Sequence, residues 1–189
     1  MFNNWNDFEN GCKNCAACEL SRTRRNVVVG RGSKNAKILF VGEAPGEQED
    51  LRGLPFVGAA GQLLDLLLEA CKIDKEDFYI ANIIKCRPPA NRDPSEEEAN
   101  ACMPFLRNQF LLLKPKAVIC LGRIAAKNMI DPDFKITSER GKWIDRKGTK
   151  FMATFHPAAV LHDREGGEIK KKNMFDDMLK VRDFLYEES

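Results

Sequence analysis

Short, continuous apolar runs at 38–41, 78–84, 117–122 and 151–155 set the rhythm of this chain. Each is unbroken rather than alternating, as in a strand buried on both faces. Helical spacing fills the intervals. Leu63, Leu64, Leu67, Leu68 and Cys71 share one face of a helix predicted over 62–72. Ser95 and Glu98 form a capping box. Behind it, Ala99, Cys102, Met103, Leu106, Phe110 and Leu113 make a stripe, which Pro104 is expected to break or kink beside Cys102. A short helix is predicted over 123–130. A terminal one is predicted over 173–187, with Met174, Met178, Val181 and Leu185 inward. Residues 27–29 are a candidate short strand. Strands that alternate with helices imply an α/β fold: a three-layer α/β/α sandwich around a central, mostly parallel, four-stranded sheet.

Composition narrows this picture. A chain of 189 residues, 43% hydrophobic and 31% charged, fits one domain over 1–189. No linker, repeat or low-complexity tract divides it. The apolar runs fall far short of the about 18 residues of a membrane span. The polar start of the chain lacks a signal-peptide pattern, so a cytoplasmic location is expected, with no membrane partner. A net charge of +2 neither demands nor excludes nucleic acid. Seven cysteines are an odd count, unlike a disulfide framework, and in a reducing compartment such residues bind metal or sit in the core. A monomer is the default.

The run at 38–41 leads without a gap into Gly42-Glu43-Ala44-Pro45-Gly46-Glu47-Gln48-Glu49-Asp50, read as a tight acidic turn. Open α/β sheets place ligands there, past the carboxyl ends of their strands. A glycine-rich loop over 51–61 carries Phe56. Asn82, a poor strand former, sits late in the second run, and His156, one of two histidines, follows the fourth. Parallel strands would bring Glu43, Asn82 and His156 to one crevice, with Phe56 closing it. An amide, an imidazole, an aromatic face and a carboxylate suit a flat polar ring such as a nucleobase.

Four segments carry a specific resemblance: Gly42-Glu43-Ala44-Pro45-Gly46, Pro55-Phe56-Val57-Gly58-x-x-Gly61, Asn82-x-x-Lys85-Cys86-Arg87-Pro88-Pro89 with Asn91-Arg92, and His156-Pro157-Ala158-Ala159. Together and in this order they resemble the motifs of family 4 uracil-DNA glycosylases, iron–sulfur members of the uracil glycosylase superfamily. The likeness runs from Cys15 to about Asp176. It implies hydrolysis of the N-glycosidic bond of deoxyuridine in single- or double-stranded DNA, with free uracil and an abasic site as products. Asn82 would read the uracil edge, Phe56 would stack on the ring, and His156 would donate to the oxygen that gains charge. Gly42 and Ala44 would offer backbone groups. Glu43 would position water or stabilise the sugar cation, and Glu49 would border the pocket near C5. The better-known glycosylase class has an aspartate where Ala44 stands, which leaves the carboxylate role to Glu43 or makes it dispensable. No lysine is placed as a Schiff-base nucleophile, so no lyase step is expected.

The same resemblance assigns Cys15, Cys18, Cys86 and Cys102 to a [4Fe–4S] cluster. Zinc would satisfy the same ligands, and Cys12 competes with Cys18 at equal spacing from Cys15. Cys71 and Cys120 are expected in the core. Arg22, Arg24, Arg25, Arg87 and Arg92 are candidate phosphate contacts. Leu161 is a candidate wedge into the base stack, and 170–172 is a basic stretch for nonspecific attraction. His162 and Trp143 are read as structural. The competing reading is a protein that binds uracil-containing DNA with little or no turnover. The extra basic loop of such relatives is missing between Lys150 and His156. An iron–sulfur electron carrier would leave Asn82 and His156 unexplained.

Overall fold

The computed structural model describes residues 1–186. Its strands are β1 (Arg31–Gly32), β2 (Ile38–Gly42), β3 (Phe78–Asn82), β4 (Ala117–Leu121), β5 (Ile144–Arg146) and β6 (Thr149–Thr154). They form one sheet in the order β1-β3-β2-β4-β6-β5. The four strands read from the apolar runs are its parallel centre, with Gly42 beside Asn82, Phe40 beside Ile119 and Ile119 beside Met152. The sheet is nevertheless six-stranded and mixed, because β1 and β5 add antiparallel edges. Two- and three-residue edge strands are too short to show a period, so the pattern at 38–155 predicted only the centre.

The helices are α1 (Trp5–Lys13), α2 (Glu47–Arg52), α3 (Ala59–Ala70), α4 (Glu96–Leu113), α5 (Arg123–Met129), α6 (Ile136–Glu139), α7 (Pro157–His162) and α8 (Gly167–Tyr186). They explain why the central runs are continuous. Successive strand residues face opposite sides, and both sides are covered. Ile38, Phe40, Ile80 and Ile119 pack with Leu64 and Leu68 of α3 and with Met174 and Met178 of α8. Leu39, Val41, Ala81 and Val118 pack with Leu106 of α4 and Ala126 of α5. The expected three layers are present. Cys71 and Cys120 are fully buried in these two cores, and Trp143 packs on Phe184 with ring centroids 5.1 Å apart.

Several local readings change. The second run ends as a strand at Asn82, although the N–H groups of Ile83 and Ile84 still reach Gly42 O and Glu43 O. Residues 27–29 are not a strand. Val28 instead donates to Lys85 O at 2.8 Å, and the strand comes later, at Arg31. Pro104 does not break its helix. It lies on the exposed side of α4, where a carbonyl freed by the missing N–H meets water, while buried Ala99, Leu106 and Gln109 hold both flanks. The acidic stretch after Gly46 is helix α2 rather than a turn. Glu47, Glu49 and Asp50 fall in its first turn, where carboxylates face the positive end of the helix dipole. The last helix starts at Gly167, before Asn173, and its predicted end at Glu187 lies outside the described residues. Among the described residues, no helix is long and apolar enough to cross a membrane.

Candidate active site

The carboxyl ends of the parallel strands open into a cleft of about 350 Å³ that Glu43, Ala44, Glu49, Phe56, Asn82 and His156 line together. Residues far apart in sequence therefore meet as expected. The rings of Phe56 and His156 lie 5.6 Å apart, centroid to centroid. Asn82 closes β3 and is 1% exposed. Its Oδ1 is buried without a hydrogen-bond partner among the described residues. An acceptor left unpaired in a protein interior is costly, and a donor on a bound ligand removes that cost.

His156 is the N-cap of α7. The backbone N–H of Ala158 donates to its Nδ1 at 3.2 Å. Nδ1 is thus an acceptor, and the neutral ring carries its proton on Nε2. Burial lowers the imidazole pKa to about 4, against a smaller opposing pull from Glu49. At neutral pH the cleft holds an uncharged N–H donor. Glu43 behaves oppositely: burial, then the nearby Asp93, push its carboxyl up to about 7, with Arg123 opposing.

Glycines make this arrangement possible. A Cβ on Gly42 would stand 2.4 Å from Asn82 Oδ1 and 2.7 Å from Phe56 Cζ. Phe56 itself has φ of 54°, a left-handed conformation that an aromatic residue adopts only when its surroundings hold it. Glu49 supplies part of that hold. One carboxylate oxygen accepts from Val57 N and Gly58 N, each at 2.8 Å, and the other from Gly46 N at 3.1 Å. Glu49 borders the cleft, but its charge is committed to the backbone that carries Phe56. Arg31 adds a bond to Pro55 O at 3.0 Å. Asp50, 3% exposed, accepts from Arg25 N and Asn26 N and so pins the segment after the N-terminal cysteines against α2.

Cys15, Cys18, Cys86 and Cys102 line a separate crevice, with Cys12 as a fifth thiol. None forms a disulfide. Among the described residues, no three or more His, Cys, Asp or Glu side chains are arranged to hold a metal ion. The chemistry of the donor set still fits a thiolate-bound group, because hydrogen-bond donors point at the sulfurs. Arg24 Nη1 lies 3.3 Å from Cys86 Sγ, Lys85 N 3.2 Å from Cys102 Sγ, and Ala17 N 3.5 Å from Cys15 Sγ. Such bonds stabilise sulfur that carries negative charge. Cys12 differs in being fully buried against Phe8 and Val29.

The arginines divide. Arg24 does not face outward. It donates to Cys86 Sγ and to Cys15 O at 2.7 Å, so the structure places it in the wall of the cysteine crevice. Arg22 is exposed and pairs with Glu19, and Arg25 is exposed. Arg87 donates to Asn91 Oδ1 at 2.7 Å, and Arg92, on the cleft rim, makes a two-pronged pair with Glu98. Leu161 is 48% exposed on α7, the helix that begins after His156. Lys171 and Lys172 are exposed, whereas Lys170 pairs with Asp163 at 2.6 Å. His162 and Asn91 were not singled out as cleft residues, yet both line the wall. The one signal for His162 was its place in the short helix that Pro157 starts.

A family model described as "Uracil DNA glycosylase superfamily" matches residues 29–181. The chain is 47% identical over 156 residues to a protein named Type-4 uracil-DNA glycosylase from Archaeoglobus fulgidus, covering 78% of each. It is 44% identical over 178 residues to one of the same name from Thermotoga maritima, covering 93% of this chain and 92% of the relative. A Type-5 uracil-DNA glycosylase from Pyrobaculum aerophilum is 28% identical over 189 residues. These matches over most of its length place the chain in the type-4 branch of the uracil DNA glycosylase superfamily.

Proposed function

We propose that this protein is a DNA repair glycosylase that hydrolyses the N-glycosidic bond of deoxyuridine in DNA, releasing uracil and leaving an abasic site. The observation that carries the assignment of its site is the orphaned Asn82 Oδ1, buried beside the Phe56 ring and the His156 imidazole.

The target nucleotide leaves the base stack and enters the cleft. Phe56 stacks on its ring. Asn82 Oδ1 accepts the N3–H of uracil while its amide nitrogen donates to O4. Cytosine lacks that N3 proton and presents an amino group at the neighbouring position, so it leaves both halves of the amide mismatched. As the bond between C1′ and N1 breaks, its electron pair passes to the pyrimidine and charge builds on O2. His156 donates its Nε2 proton in a hydrogen bond to that oxygen. The bond strengthens as charge develops, which lowers the barrier rather than merely tightening binding. Water adds to C1′ and loses a proton, and the departing uracil takes one up. Glu43 orients the water or faces the sugar cation, and a pKa near 7 suits a group that handles protons at neutral pH. Gly42 and Ala44 offer backbone groups to the base, and Glu49 holds the Phe56 loop.

Cys15, Cys18, Cys86 and Cys102 would hold a [4Fe–4S] cluster. When bound, it supplies a cross-link between the N-terminal segment and the 86–102 region. Arg22, Arg25, Arg87 and Arg92 meet phosphates, and Leu161 fills the gap left by the extruded base. We read the protein as a monomeric, single-domain cytoplasmic enzyme. A uracil-containing oligonucleotide, incubated with protein and treated with alkali, tests the function. A strand break that His156→Ala and Asn82→Ala abolish supports it. No break, with tight retention of the DNA, replaces it with a binding protein. A break without alkali contradicts the absence of a lyase step. Purified protein that is colourless and holds zinc without iron removes the cluster.

A further inference from the structure

Lys85 lies between the cleft and the cysteines and is 1% exposed. Its Nζ donates to Asn82 O at 2.8 Å and to Gln109 Oε1 at 2.6 Å, and both acceptors are neutral. Gln109, fully buried, is itself fixed by donating to Val29 O at 2.9 Å. The backbone of Lys85 reaches the other way. Its N–H donates to Cys102 Sγ at 3.2 Å, and its carbonyl accepts from Val28 N at 2.8 Å. No carboxylate pairs with this amine among the described residues. Lys85 thus bonds to the cysteine crevice through its backbone and to the carbonyl of the cleft amide through its side chain.

We propose that Lys85 is a positioning residue that couples the cysteine centre to the amide that reads uracil. Filling the centre fixes Cys86 and Cys102 and, through the Lys85 N–H on Cys102 Sγ, the backbone that carries the amine. The amine holds the carbonyl of Asn82, and through it the Asn82 side chain faces the cleft. The centre then holds the reading amide in place as well as cross-linking the chain. This inference rests on the glycosylase reading above.

Coupling of this kind is reciprocal. Free uracil in the cleft must therefore make the centre harder to empty. The test uses purified holoprotein and follows iron loss to a chelator by visible absorbance, with and without saturating free uracil. Calorimetric titration of uracil into wild type, Lys85→Met and Lys85→Gln runs beside it. The expected result is that uracil slows iron loss from wild type several-fold. Both variants should bind uracil about tenfold more weakly, or about 1.4 kcal/mol, and should lose the protection. Should Lys85→Met fail to fold, the wild-type protection experiment and Lys85→Gln decide the matter. Iron loss indifferent to uracil in wild type, or uracil affinity within twofold of wild type in a folded variant, overturns the proposal. Wild type that cleaves uracil DNA while its iron ignores uracil refutes the coupling alone. Wild type that releases no uracil from DNA refutes the glycosylase reading first.

Discussion

Replacing Gly42 by alanine adds one methyl group at the point where the reading amide and the stacking ring meet. The new Cβ would stand 2.4 Å from Asn82 Oδ1 and 2.7 Å from Phe56 Cζ, closer than real Cβ atoms come to any neighbour. Gly42 ends strand β2 and its φ lies outside the left-handed region, so alanine costs nothing in backbone conformation there. The penalty is steric and falls on the site. Asn82 is held by its burial and by Lys85 on its carbonyl, and Phe56 already occupies a strained conformation, so neither yields freely. Overpacking a filled interior costs about 1–3 kcal/mol. A value of about 2 kcal/mol, taken entirely in the transition state, lowers kcat/KM about thirtyfold. The assay is initial-rate release of uracil from an oligonucleotide, with thermal unfolding run in parallel. Gly148→Ala is the control. That glycine has φ of 84° but nothing within 4 Å of a new Cβ, so it pays about 1–2 kcal/mol of stability and keeps its activity. A Gly42→Ala protein within threefold of wild type refutes the packing argument.

Activity should rise with pH through about 7 as Glu43 loses its proton, and Glu43→Gln should flatten that step; a step that survives the substitution contradicts a role for Glu43. His156 titrates in the opposite sense for stability. Its folded pKa of about 4 lies below the ordinary 6.5, so the unfolded chain binds the extra proton first, and stability falls as pH drops from about 6.5 to about 4. The loss is at most about 3 kcal/mol, and His156→Asn should remove it from denaturant titrations. Arg24→Ala should lower the iron content of the purified protein and leave the salt dependence of DNA binding unchanged; the reverse result would return Arg24 to the DNA surface. Leu161→Ala should leave the melting temperature within about 1 °C, since exposed substitutions rarely matter to stability, while lowering kcat/KM on duplex DNA and sparing affinity for free uracil.

Burial on both faces made the centre of the fold legible. Ile38, Phe40, Ile80 and Ile119 needed no partner in sequence to announce a strand, and their shared direction put Glu43, Asn82 and His156 at one edge. The edges were silent. Arg31 and Gly32 pair with Tyr79 and Ile80 only because the rest of the sheet already exists. Pro104 leaves α4 unbroken because water can reach the carbonyl it frees, which a sequence does not state. The direction of Arg24 was hidden for a similar reason. A run of arginines looks like a phosphate surface, but one member turns inward to sulfur when the chain doubles back after Cys15 and Cys18. Glu49 was expected at the pocket border, where it stands, but only the positions of Val57 N and Gly58 N show that its carboxylate is bonded to the Phe56 loop. The bonds of Lys85 were hidden altogether, since they tie Val28, Asn82 and helix α4 together in a way that no spacing encodes.

A crystal structure of the protein with free uracil tests the site most directly. The account requires the ring to lie against Phe56, with N3 on Asn82 Oδ1 and O2 on His156 Nε2. Uracil bound elsewhere, or bound in this cleft with Asn82 Oδ1 still unpaired, would contradict it.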